Sequence, residues 1–203
     1  MFPFDVILFD VGGVLLTNGW DHRERAAVIS QFQLDLSAFE ARHAEANDAW
    51  ERDVTSVEEY LDATIFYEPR DFTPEEFVAA MCAQSMALPN GGLGILAEIA
   101  ASSKCMVGAL NNEARVTNEY RFQSFELRQY FDVALSSCYV GLRKPHAEIY
   151  QRALDILGRP AGRILFIDDR QVNVAGAAAA GMKAIQFDGA EGLRRDLELL
   201  GVF

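Results

Sequence analysis

The chain has 203 residues, half of them apolar and 24% charged, with a formal net charge of −12. That length supports one sizeable core, or a core with a smaller inserted subdomain, and the composition excludes a disordered chain. A field of that sign repels phosphate backbones, so nucleic acid is an unsuitable partner, whereas a cation pocket built from clustered carboxylates is compatible with it.

From the N-terminus, residues 4–9 form a short apolar run rich in strand formers, closed by Asp10 and the pair Gly12 and Gly13. This predicts a buried strand and a tight turn, not a signal peptide, because no basic segment precedes it. Similar runs cover 105–110, 164–167 and 184–187, with a weaker one at 133–136. Helical spacing appears between them, at Tyr150, Ala153, Leu154 and Leu157, and again at Leu193, Leu197 and Leu200. Pro145 suits the first turn of the former helix. Alternating strands and helices predict an α/β fold with a central parallel sheet covered on both faces.

The stretch from residue 18 to 92 has no convincing buried strand. Ser37 with Glu40, Thr55 with Glu58, and Thr73 with Pro74 and Glu76 each read as a helix start with a capping box. Tyr60, Leu61 and Ile65, then Phe77, Val78 and Met81, give one-sided apolar helices. An all-helical insert after the first strand is expected, returning through 89–92. Gly91, Gly92 and Gly94 follow a helix with no Lys-Ser/Thr after them, so they read as a hinge and not a phosphate loop. The expected division is 1–17 and 93–203 for the core and 18–92 for the insert.

Cys82, Cys105 and Cys138 are odd in number and widely spaced, which suits small buried hydrophobes in a reducing cytoplasm. No run reaches the ~20 apolar residues of a membrane span, so no membrane partner is expected. His22, His43 and His146 are scattered away from any plausible nucleophile.

Ligands of open α/β sheets bind outside the carboxyl ends of the strands. Asp10, Asn111 with Asn112, Lys144, and Asp168 with Asp169 all fall where a strand should stop. The adjacent carboxylates repel each other unless a cation intervenes, and Mg²⁺ accepts a few carboxylates plus water and phosphate oxygen. The expected metal set is Asp10, Asp168, Asp169 and the Gly12 carbonyl, with Asn173 bracing it from behind. Asp10 is the expected nucleophile, attacking phosphorus to form an aspartyl-phosphate. Lys144 would neutralise charge. Asn111 is the expected phosphate contact and Asn112 the backbone-shaping residue, a choice the sequence leaves close to even. Gly12 and Gly13 would let backbone approach the substrate. Trp50, Glu51 and Arg52 are candidates to line the substrate site, with packing the simpler role for Trp50. Arg115 could reach an anion, though a solvated helix face is the simpler reading.

Four segments in this order resemble the motifs of the haloacid dehalogenase superfamily: Phe9 to Val14, Leu110 to Asn112, Arg143 to Pro145, and Phe166 to Asp169 with Asn173. The helical insert is similar to that superfamily's subfamily I cap. The closest flavour is the branch holding sugar-phosphate phosphatases and the N-terminal phosphatase domains of epoxide hydrolases. The resemblance implies a Rossmann-like three-layer core with the first strand central, a small helical cap over the substrate, and Mg²⁺-dependent hydrolysis of a small phosphorylated metabolite. It leaves a monomer and a homodimer equally open.

Two positions depart from that pattern. Gly12 stands where the family carries a second aspartate, whose carbonyl binds metal and whose side chain serves as general acid and base. Glycine preserves the first role only, and the second is typically worth about 10²–10⁴ in rate. Asn111 stands where Ser or Thr is usual. Alternatives are a metal-independent 2-haloacid dehalogenase, which usually lacks the acidic pair, and a catalytically weak phosphate-ligand binder. A response-regulator receiver is set aside, because there the acidic pair comes first in the chain.

Overall fold

The computed structural model describes residues 2–203; Met1, the first residue of the expected core segment, lies outside them. Five strands form one all-parallel sheet in the order β3-β2-β1-β4-β5. They are β1 (Val6–Phe9), β2 (Met106–Ala109), β3 (Val133–Ala134), β4 (Ile164–Asp168) and β5 (Lys183–Gln186). The strand at the N-terminus is therefore central, as expected, and each predicted apolar run overlaps one strand, β4 ending one residue later than its run and β5 starting one residue earlier.

Side-chain alternation on β1 explains the layers. Ile7 and Phe9 point to one face, where they meet Ile95, Leu96 and Ile99 of α5 (Leu93–Ser102) and Leu193 and Leu197 of α10 (Ala190–Leu199). Val6 and Leu8 point to the other, against Ile149, Tyr150 and Ala153 of α8 (Ala147–Leu157) and Ala177 of α9 (Gln171–Ala179). A period of two thus divides one strand between two cores.

Between β1 and β2 the chain forms α1 (His22–Gln31), α2 (Leu36–Glu51), α3 (Val57–Thr64) and α4 (Pro74–Cys82). They share a core of their own, including Trp20, Phe39, Trp50, Tyr60 and Phe77. The two chain crossings at its base are stitched together. The Thr17 N–H donates to the Met86 carbonyl at 2.9 Å, and the Leu88 N–H to the Leu15 carbonyl at 3.1 Å.

Three helix starts need attention. Thr73 and Glu76 form the expected capping box with proline behind the cap. The box at α3 lies one residue later than expected, on Ser56 and Glu59. Thr55 is excluded because its N–H helps close the end of α2 on the Ala49 carbonyl. Ser37 caps nothing: the Asp35 carboxylate takes the Ser37 and Ala38 N–H groups, and Glu40 pairs with Arg25 instead. Pro145 also falls short of a helix, since α8 starts at Ala147 with His146 as its cap residue.

No helix among the described residues is long and apolar enough to cross a membrane.

Candidate active site

Strand register assembles the site. Phe9 lies level with Ala109 and Ile167, so β1, β2 and β4 reach the same edge together. The residues that follow emerge side by side. Asp10 stays bonded to the sheet through its N–H, 2.8 Å from the Ile167 carbonyl.

Lys144 is the hub. Its ammonium lies 2.9 Å from Asp10 Oδ1 and 2.7 Å from Asp168 Oδ2, and all three side chains are buried. The Asp168 carboxylate is fully engaged. Oδ1 accepts from the Arg170 N–H and from Asn173, and Oδ2 from Lys144 and Asn173. Asn173 therefore braces Asp168 from α9.

Asp10 Oδ1 also accepts the Val11 N–H at 2.8 Å. Burial outweighs the pull of the Lys144 charge and leaves the Asp10 carboxyl raised to about 7. Burial alone would lower Lys144, but the charges of Asp10 and Asp168 outweigh it and raise it. Burial, then the Asp168 charge, raises Asp169.

These facts bear on a cation. Carboxylate oxygens of Asp10, Asp168 and Asp169 lie within 4.8 Å of one another. One ammonium offsets one of those three charges, so the cluster is short of positive charge. Asp169 Oδ1 is buried and has no hydrogen-bond partner among the described residues. An orphaned buried oxygen is costly unless something fills its place. The residues present therefore fit a hard divalent cation. Gly13 makes the approach possible: it has φ +72°, and a Cβ there would lie 2.2 Å from Asp169 Oδ2. It serves Asp169's packing directly.

Beyond the trio opens a cavity of about 250 Å³ between the sheet edge and the helical insert. Asp10, Gly12, Asn112, Lys144 and Asn173 line it, with Trp50 and Glu51 from α2. Arg52 does not; it pairs with Asp48 on its own helix. Arg115 lies outside the lining and pairs with Asp53.

The two asparagines divide their roles. Asn112 exchanges two hydrogen bonds with the Lys144 backbone, at 2.8 and 2.9 Å, so it sets the loop that presents the lysine. Asn111 does not line the cavity. Its amide donates to Asn118 and its carbonyl oxygen accepts from Ser136, and the residue is 1% exposed. The expectation that the Asn111 side chain meets phosphate is corrected on that ground. The longer amide reaches sideways to neighbours on α6 (Arg115–Ser124) and after β3, where its polar groups are satisfied.

The sequence reading missed Asn18, Glu113, Arg121, Asp21 and Arg170, all of which line the cavity. One signal existed. Ala114, Thr117, Asn118, Arg121 and Phe122 recur at helix spacing, and all are buried. Three polar residues share that buried face of α6.

Residues 4–181 match the haloacid dehalogenase-like hydrolases, and the chain belongs to that family. The chain is 31% identical to flavin mononucleotide hydrolase 1 of Arabidopsis thaliana over 145 residues, covering 71% of this chain and 58% of that protein. It is 38% identical to phosphatase MT3486 of Mycobacterium tuberculosis over 100 residues, 47% of this chain and 46% of the other. The chain thus spans about half the length of the curated relatives it matches. A haloacid dehalogenase family enzyme of Bacteroides thetaiotaomicron, solved with magnesium and inorganic phosphate, shares the fold. Its TM-score is 0.74 at 18% identity, over 92% of this chain and 95% of that one.

Proposed function

We propose that the chain is a Mg²⁺-dependent phosphatase acting on a small phosphorylated metabolite through an aspartyl-phosphate on Asp10. The observation that carries this reading is the position of Asp10: on the cavity wall, 2.9 Å from the Lys144 ammonium, with Asp168 and Asp169 beside it. Two further points support it. Relatives named as a phosphatase and a flavin mononucleotide hydrolase are 38% and 31% identical to parts of the chain. The cavity is smaller than the ~300–1,000 Å³ of pockets that take drug-sized ligands, so a compact substrate fits better than a nucleotide-sized one.

In this reading residues 1–17 and 93–203 are the catalytic core and 18–92 the cap that supplies the cavity's outer wall. Asp10, Asp169 and the Gly12 carbonyl would hold Mg²⁺ directly. Asp168, whose lone pairs are already spoken for, would reach it through water. The bound cation would offset repulsion between the Asp10 carboxylate and the phosphate and withdraw charge from phosphorus. Asp10 attacks phosphorus, and Lys144 stabilises the charge on nucleophile and phosphoryl oxygens. Asp168 and Asn173 hold Lys144 in place for that task. Water then cleaves the aspartyl-phosphate and restores Asp10.

The test is turnover of p-nitrophenyl phosphate with Mg²⁺ and with EDTA. Mg²⁺-dependent release of nitrophenol, lost in Asp10→Asn, is expected. Unchanged turnover in Asp10→Asn would sink the reading, and halide release from a 2-haloacid in EDTA would replace it with a dehalogenase.

A further inference from the structure

Asp10, Lys144 and the acidic pair leave one part of the cavity wall without a task. Gly12 lies two residues past Asp10 and has no side chain to offer. The direction a side chain would take ends 3.1 Å from Asn18 Oδ1 and 3.9 Å from a guanidinium nitrogen of Arg121. Asn18 and Arg121 both line the cavity. Arg121 is 1% exposed, and it is held from two sides. One terminal nitrogen donates to Glu113, and the other donates to the Thr17 carbonyl at 2.6 Å. Its Nε is buried and has no partner among the described residues.

A phosphate ester that loses its phosphoryl group to Asp10 must release an oxygen carrying the electron pair of the broken bond. That oxygen needs a proton or a cation. Two of the three carboxyl groups lining the cavity outside the acidic trio are poorly arranged to give a proton. Glu113 faces Arg121, Glu51 faces Arg143 at 2.7 Å, and Asp21 faces Arg170 at 2.6 Å. Glu113 and Asp21 sit as ion-pair partners, an arrangement suited to a carboxylate; burial raises the Glu51 carboxyl against the pull of the Arg143 charge, so Glu51 is the competing proton donor that the test must separate from Arg121. Arginine keeps its proton at any working pH, so Arg121 stabilises an anion and protonates nothing.

We infer that Arg121 forms the leaving-group site and stabilises the departing oxygen as an anion, and that, with no acid at Gly12, the substrates turned over best are those whose leaving oxygen is a stable anion, above all acyl phosphates. This rests on the phosphatase reading. The bond from Asp10 oxygen to phosphorus forms as the bond from phosphorus to the carboxylate oxygen of the acyl group breaks. The electron pair leaves on that carboxylate, which pairs with Arg121. Water then attacks the aspartyl-phosphate, giving phosphate and a proton to solvent, and Asp10 is regenerated. Glu113 and Thr17 position the guanidinium and touch no substrate.

The experiment measures kcat and KM of the Mg²⁺-loaded enzyme on acetyl, 2,4-dinitrophenyl, p-nitrophenyl and phenyl phosphate. Rates in the wild type should fall steeply along that series as leaving-group basicity rises. Arg121→Met should lose activity on every substrate, least on acetyl phosphate and about 10²-fold more on phenyl phosphate, the scale of one lost oxyanion donor. Arg121→Lys, which keeps the charge, should recover part of the loss. Arg121→Met strands the Glu113 carboxylate, so Arg121→Met/Glu113→Leu is measured beside it, with circular dichroism to verify folding. Should both prove unfolded, Arg121→Lys decides the question. An equal loss on all four substrates makes Arg121 a structural bolt and overturns the inference. A loss that grows with basicity in Glu51→Gln but not in the Arg121 variants makes Glu51 the proton donor and also overturns it. A wild type inert even to acetyl phosphate overturns the phosphatase reading itself, a distinguishable failure.

Discussion

The sheet layers and the helical insert bury their side chains by different rules. Around the sheet the core is largely aliphatic, split by strand alternation into two faces, and the polar residues collect at one edge. In the insert the core is aromatic. Trp50 stacks on Tyr60 at 3.9 Å between ring centroids, and Trp20 meets Phe39 and Phe77 edge-on. Polar atoms run through it: Trp20 Nε1 donates to the Tyr60 hydroxyl, which lies 2.8 Å from His43 Nδ1. Parallel strands whose faces are both covered leave only their ends for polar chemistry. A small bundle of short helices instead fills its volume with large rings and must satisfy their polar tips inside. The first arrangement holds charges in place. The second shapes a wall.

The comparison can be tested where it predicts the largest effect, at the strand edge. Lys144→Met would leave Asp10 and Asp168 buried without their counter-charge. Breaking such a pair costs about 3–5 kcal/mol. Urea unfolding of the metal-free protein should show that loss, along with lost turnover. A change below about 1 kcal/mol would mean the lysine is not the hub its contacts describe.

The two regions should also answer acid in opposite directions. Burial holds the His43 imidazole down at about 4, below its ordinary 6.5. As pH falls through 6.5 the unfolded chain gains a proton that the folded insert refuses. This contribution is complete above 6.5 and is lost progressively toward 4, roughly 3 kcal/mol in all. Asp10, raised to about 7, works the other way in the metal-free protein. Its folded form holds a proton that the unfolded chain has released, so this contribution is present at low pH and lost as pH rises toward 7. Near-ultraviolet circular dichroism should report the insert loosening between pH 6.5 and 4, and His43→Gln should flatten that response. An unaltered profile would contradict a buried neutral His43.

A smaller effect separates two adjacent glycines. A Cβ at Gly13 meets the Asp169 carboxylate at 2.2 Å in a left-handed backbone, whereas one at Gly12 meets Asn18 Oδ1 at 3.1 Å. Gly13→Ala should cost about 1–3 kcal/mol and weaken Mg²⁺ binding. Gly12→Ala should cost less than half as much. Equal losses in thermal unfolding would show that the site tolerates displacement of Asp169.

How far the sequence could be read follows from the same contrast. Asp10, Asp168 and Asp169 were legible because each ends or follows a local apolar run, and parallel strands bring such ends together whatever lies between; Lys144, expected at a strand end, instead lies well past β3, beyond α7 (Ser137–Val140), and was legible only beside Pro145 in the third motif. The strands themselves announced their burial by composition. The insert's existence was legible, but two of its caps were not. Ser56 and Thr55 fit the same box, and only the packing of α2 against the following turn chooses between them. Asn111 and Arg121 were hidden for a related reason. Beside the nearer Asn118 and Glu113, their partners Ser136 and Thr17 come from other segments, and no local pattern states that those segments meet.

The central claim concerns Asp10, and one measurement addresses it most directly. Wild-type protein with Mg²⁺ is mixed with phosphorus-labelled acetyl phosphate, quenched in acid within milliseconds, and digested. Label sensitive to hydroxylamine on the peptide holding Asp10, absent in Asp10→Asn together with turnover, is the predicted result. Hydrolysis that persists in Asp10→Asn, with no labelled peptide in either protein, would contradict it.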